Sequence, residues 1–194
     1  MQTIKPKHLS ADHLSDLIRA KLDRPIVILG LQGAGKSRLG RMMAKALGLP
    51  FYDCDSEIEQ SAGRPVHEIK NQIGDVAFRQ AEARVLSRLM ALGVCVIAVG
   101  EEIALSPSSV QHIFEKAIPI RVYADDHVMF VRLSRAATRP ELVGTDIHAL
   151  IAEHKKLYDP IYKNIPLSVH SHEGPAVDVM AGALQALFNY IEPV

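Results

Sequence analysis

The chain has 194 residues, 48% of them hydrophobic and 23% charged, with basic and acidic side chains balanced at 22 each. That length suits one domain around one sizeable core, and the charge balance leaves no global field to draw nucleic acid or an anionic membrane. The opening segment MQTIKPKHLSADHLSDLIRAKL is broken by charge and has no apolar stretch of the secretory kind. No apolar run approaches the roughly 18 residues of a membrane span. A cytoplasmic monomer with no nucleic-acid or membrane partner is therefore expected. Cys54 and Cys95, without C-x-x-C spacing, read as buried free thiols rather than a disulfide or metal pair.

In chain order, a helix is predicted from about Ser10 to Leu22, with Leu14, Leu17 and Ile18 at helical spacing and Ser10 as its cap. It forms an extension, residues 1–23, ahead of a single domain over 24–194. PIVILG reads as a buried strand followed by a glycine-rich turn. A helix then carries Leu39, Met42, Met43, Ala46 and Leu47 on one face and stops at Gly48 and Pro50. PFYDCD is a second short strand. Helical patterns fill most of Asp55 to Met90, with breaks at Gly63-Arg64-Pro65 and near Gly74.

VCVIAV, apolar throughout and rich in β-branched residues, reads as a third strand buried on both faces. AIPIRVYA and IPLSVHS supply a fourth and a fifth. A closing helix sets Val177, Met180, Ala181, Leu184, Phe188 and Ile191 on one face. Strands alternating with helices indicate an α/β fold with a mostly parallel sheet. The connector SRAATRPELVGTD, Ser134 to Asp146, reads as either a mobile lid or a plain surface loop.

GLQGAGKS, Gly30 to Ser37, matches G-x-x-x-x-G-K-[ST] between a buried strand and an amphipathic helix, the context that motif requires. Its glycines let backbone N–H groups converge on phosphate, and the helix N-terminus adds partial positive charge. Gly33, Ala34, Gly35, Lys36, Ser37 and Arg38 are the expected nucleotide contacts. Lys36 reaches the β- and γ-phosphates, and Ser37 ligates Mg²⁺. ATP and Mg²⁺ are the implied cofactors.

Asp53 and Asp55, two apart at the end of the second strand, are expected to point together toward that cradle. One would hold a metal-bound water and the other would accept a proton from an attacking hydroxyl, unless Asp55 only caps the helix that follows. Arg79 and Glu82 have the spacing of a helical ion pair. Arg132, Arg135 and Arg139 have adenine, phosphate or water as possible partners. The nine histidines form no H-E-x-x-H and no convincing ligand trio, so no structural zinc is expected.

GLQGAGKSRLGRMMAKALGLPFYDCDSEIE, GDVAFRQAE, RLSRAATRPEL and KKLYDPIY resemble, in order and spacing, the shikimate kinase family. The resemblance covers nearly everything after about residue 24. It implies a P-loop NTPase fold of the nucleoside-monophosphate-kinase type, with a five-stranded parallel sheet, flanking helices and a lid. It also implies phosphoryl transfer from ATP to the 3-hydroxyl of shikimate. By position, Lys36 stabilises the transferring group, Ser37 and Asp53 serve the metal, and Asp55 orients or deprotonates the acceptor. Arg79, steadied by Glu82, grips the acceptor carboxylate beside Gly100. Arg139 enters from the lid, and Arg132 lies against adenine.

Departures gather on the acceptor side. Three glycines of the family pattern are here Gly100-Glu101-Glu102, a second carboxylate-gripping arginine is His154, and a pocket aromatic is Lys70. A glutamate about 4 Å from a bound carboxylate costs on the order of 4 kcal/mol at an effective dielectric of 20. Either the glutamates turn outward or pair with Lys70, or the acceptor is not an anion. Three functions follow: a shikimate kinase, which is preferred; a relative with another small acceptor; or a nucleotide-binding regulatory module without turnover. Retention of Lys36, Ser37, Asp53, Asp55, Arg79 and Arg139 speaks against the last.

Overall fold

All four side chains of the first strand, β1 (Ile26–Leu29), are buried, as a strand covered by helices on both faces requires. The structure is a computed structural model that describes residues 11–135 and 142–192. Four further strands follow: β2 (Phe51–Asp53), β3 (Val96–Ala98), β4 (Ile118–Tyr123) and β5 (Leu167–His170). They form one sheet in the order β2-β3-β1-β4-β5, and every pairing is parallel. Ile28 of β1 lies between Ala98 and Ile120 of its two neighbours.

The period-two alternation of β1 feeds two apolar layers. Val27 and Leu29 pack with Ile97, Val99, Leu86, Leu89, Tyr158 and Tyr162 on one face. Ile26 and Ile28 pack with Val96, Ile120, Met43, Leu47, Leu184 and Leu187 on the other. Leu14 and Ile18, 5% and 1% exposed, belong to the second layer. The N-terminal helix α1 (Ala11–Lys21) is thus packed onto the sheet's covering helices, while its expected cap Ser10 lies outside the described residues.

The helix α2 (Lys36–Leu47) follows β1, with Gly35 as its N-cap, so Lys36 and Ser37 sit in its first turn. β2 is shorter than expected: it ends at Asp53, and Asp55 stands in the first turn of α3 (Cys54–Ala62). The pair therefore does not alternate along one strand. Asp53 is the N-cap residue, yet its side chain makes no capping bond, so neither aspartate acts as the expected cap. A long helix, α4 (Val66–Met90), is broken at Gly74, whose φ of 79° leaves the helical region where the sequence expects a break. Cys54 and Cys95 are buried and free.

Behind β3 a 3₁₀ turn, Glu101–Leu105, begins at the two glutamates and leads into α5 (Pro107–Lys116). The remaining helices are α6 (Asp126–Leu133), α7 (Ile147–Tyr162) and α8 (Ala176–Ile191). The expected face of α8 needs correction. Val177 is 53% exposed, and the fully covered residues are Val179, Ala183, Leu184 and Leu187. That helix is apolar on most sides, so periodicity could not say which stripe α1, α2 and β5 would cover. Most of the expected lid, including Arg139, lies outside the described residues.

Candidate active site

The chain reverses its walk across the sheet at β1, sending β3 to one side and β4 to the other. Ligands of parallel sheets bind at such a point, beyond the strands' carboxyl ends. The segments leaving β1, β2 and β3 there line a cavity of about 800 Å³.

At one end lies the glycine-rich loop. Gly30 has a φ of 144°, and a Cβ there would lie 2.1 Å from the Val122 carbonyl oxygen, so only glycine lets the chain turn off the strand. Lys36 Nζ donates back to the Leu31 carbonyl at 3.2 Å. The Ser37 hydroxyl donates to Asp53 Oδ2 at 2.6 Å. Across the loop, the Arg132 guanidinium donates to the carbonyls of Gly33 at 3.2 Å and Ala34 at 3.0 Å, and to Ser171 Oγ at 3.1 Å. Burial, then the charges of Arg38 and Arg135, lower its proton affinity. These cations crowd the same end, where a polyphosphate would neutralise them.

The other end is built from carboxyls. Asp55, Glu82, Gly100, Glu101 and Glu102 line it with Lys70, Val66 and Phe78. Glu82 is fully buried, and its oxygens have no hydrogen-bond partner of good geometry among the described residues. Burial, then the charges of Asp55 and Glu102, push its carboxyl up to about 8 although the nearby Gly100 backbone N–H pulls it down, so it carries a proton at neutral pH. The expected steadying of Arg79 by Glu82 is therefore absent: Glu82 turns inward instead. Burial, then the charge of Asp53, raise Asp55 to about 6 against the opposing pull of Lys36 and Lys70.

The two glutamates after β3 do not turn outward. Glu101 accepts the backbone N–H of Gln32 at 2.7 Å and pairs with His154 Nδ1 at 2.8 Å. Burial pulls that carboxyl upward, but the His154 hydrogen bond and Lys36 outweigh it and hold it below its ordinary value. The Glu101 hydrogen bond correspondingly raises His154, against the opposing effect of burial. Glu102 pairs with Lys70 at 2.5 Å. The buried Tyr162 hydroxyl, 3.4 Å from the Gly30 carbonyl and 3.2 Å from that of Glu101, ties the loop to the 3₁₀ turn.

Of the residues expected in the site, Gly33, Gly35, Lys36, Ser37, Arg38, Asp53, Asp55, Gly100 and Arg132 line this one cavity. Ala34, within the loop, is buried. Arg79 and His154 are not on the lining, and Arg139 is outside the described residues. Unforeseen are Gln32, and Ser171 and His172 at the end of β5. The rule that ligands sit past strand ends was the signal for the last two.

Comparison with known proteins agrees with this geometry. The family model for shikimate kinase matches residues 32–187. The chain belongs to the shikimate kinase family. A shikimate kinase of Rhodopseudomonas palustris is 36% identical over 177 residues, covering 91% of this chain and 87% of that protein. One from Zymomonas mobilis is 35% identical, covering 84% and 93%. The structure of an Acinetobacter baumannii shikimate kinase in complex with shikimate superposes with a TM-score of 0.82 at 27% identity, covering 91% of this chain and 98% of the other. Membership makes this a phosphotransferase with a hydroxyl group as acceptor, and its five-stranded sheet is that of the shikimate kinases.

Proposed function

We propose that the protein transfers the γ-phosphoryl group of ATP to the 3-hydroxyl of shikimate. One observation carries the reading: a single cavity joins the phosphate loop at Lys36 and Ser37 to a buried carboxyl, Asp55, on the acceptor side. The Ser37 hydroxyl and Asp53 carboxylate, 2.6 Å apart, are the hard oxygen donors that suit Mg²⁺ held mainly by phosphates and water. Bound there with the nucleotide, the ion would neutralise phosphate charge.

Within that cavity the chain's own residues do the positioning. Lys36, whose ammonium donates to the Leu31 carbonyl, swings to phosphate oxygens and stabilises their charge during transfer. Asp55, raised to about 6, stays ionised at neutral pH while being more basic than an ordinary carboxylate, which suits proton acceptance from the hydroxyl. Arg132 braces the loop through two carbonyls while its side chain borders the nucleotide space. The acceptor end tolerates an anion because its excess carboxyls are neutralised. Glu82 holds its proton, Glu102 is paired with Lys70, and Glu101 is paired with His154.

Coupled measurement of ADP release with Mg²⁺-ATP, with and without shikimate, tests the reading. Shikimate-dependent turnover and formation of shikimate 3-phosphate are expected. ADP release indifferent to shikimate, and stimulated instead by another hydroxylated compound, would overturn the choice of acceptor.

A further inference from the structure

We infer that Lys70 is the cation that anchors the acceptor's carboxylate, so that it determines specificity for an acidic acceptor. The inference rests on the shikimate reading above and adds to it which side chain recognises the acid. The cations lining the cavity among the described residues are Lys36, Arg38, Arg41, Lys70, Arg132 and Arg135. Arg38 and Arg135 crowd Arg132 at the nucleotide end, and Arg41 lies 5.2 Å over the Phe51 ring. Lys70 alone of these stands on α4, where its charge acts on both Asp55 and Glu82.

Its position is held from two sides. Nζ lies 4.8 Å over the Phe78 ring and 2.5 Å from Glu102 Oε1. The side chain is 27% exposed, so a ligand in the cavity can reach it. An ammonium offers three donors, and Glu102 Oε1 engages one of them. The two other residues proposed to grip the acid are placed elsewhere. His154 is bound to Glu101 away from the cavity lining, and Arg79 is off the lining too.

The surroundings describe the rest of the ligand. Oε2 of Glu102 is buried without a hydrogen-bond partner among the described residues, and the protonated Glu82 carboxyl beside it leaves one oxygen to accept. Such oxygens accept O–H or N–H donors readily, and leaving them unmatched is costly. A cation beside unmatched acceptors fits a small carboxylic acid that also carries hydroxyl groups. A neutral polyol would leave the Lys70 donors not engaged by Glu102 without a charged acceptor.

Steady-state kinetics with shikimate and with its carboxamide analogue read this directly. Wild type should prefer the acid by about ten-fold or more in kcat/KM, the scale of one hydrogen bond to a charged group. Lys70→Met should raise KM for shikimate by a similar factor, leave KM for ATP unchanged, and bring the acid-to-amide preference close to one. Lys70→Arg should keep the preference. Lys70→Gln, closer in shape, repeats the test should the methionine variant fold poorly. A glutamine or methionine variant that is folded and still prefers the acid as wild type does overturns the inference while the shikimate reading stands. Wild type with no shikimate-dependent ADP release overturns both.

Discussion

The two ends of the cavity use charge in opposite ways. At the nucleotide end, cations outnumber carboxylates, and the 2.6 Å hydrogen bond from Ser37 to Asp53 joins two groups suited to the same metal. At the acceptor end, carboxyls outnumber cations, and each extra one is silenced by a proton or a partner. At the nucleotide end a polyphosphate would complete the charge balance. The acceptor end has largely balanced its charge within itself. The residues that depart from the family pattern at the second end stand as pairs, Glu101 with His154 and Glu102 with Lys70.

The largest expected effect breaks the nucleotide end. Lys36→Ala should lower kcat by at least about a hundred-fold, the scale of losing a donor aimed at developing charge. Coupled ADP release checks it; near wild-type turnover would remove Lys36 from the mechanism. Asp55→Asn should follow, with a loss of about a hundred-fold in kcat and little change in nucleotide affinity, which titration with an ATP analogue measures.

A smaller effect sharpens the contrast from the acceptor side. A Cβ on Gly100 would lie 2.4 Å from Glu82 Oε1 and 3.2 Å from Asp55 Oδ1. Gly100→Ala should cost about 1–2 kcal/mol of stability as Glu82 is forced from its seat, and should raise KM for shikimate but not for ATP. Thermal unfolding and the two Michaelis constants measure both halves of that statement.

The mildest test is of pH. Glu82 loses its proton near 4.5 when unfolded and near 8 when folded, so between those values the folded chain binds more protons than the unfolded one. Stability from this group is therefore fully present below about pH 4.5 and is lost as pH rises toward 8. Asp55, raised to about 6, and His154, raised above 6.5, act in the same direction over their own ranges. Glu82→Gln should flatten the fall in melting temperature between pH 5 and 8. An unchanged profile would mean that Glu82 is ionised in the folded protein.

Much of this molecule was legible in the order of its residues. A fully apolar β1, a glycine-rich turn and an amphipathic α2 act over short spans, where local backbone preference and periodicity determine structure. They sufficed to place Lys36 and Ser37 at a helix N-terminus and to expect a parallel sheet. The acceptor end was legible only as a list of departures. Whether Glu101 faced Lys36, Lys70 or solvent depended on how the glycine-rich loop, a 3₁₀ turn, α4 and α7 meet, and those contacts join residues up to 69 positions apart. The inward turn of Glu82 away from Arg79 is the same kind of fact. Helical spacing says two side chains are neighbours, but the cavity beside them decides which is buried. Sequence alone thus determined the phosphate cradle, because its chemistry is local. The balance of charge around the acceptor was decided by tertiary structure, because burial and through-space pairing set a carboxyl's charge and neither is a property of its neighbours in sequence.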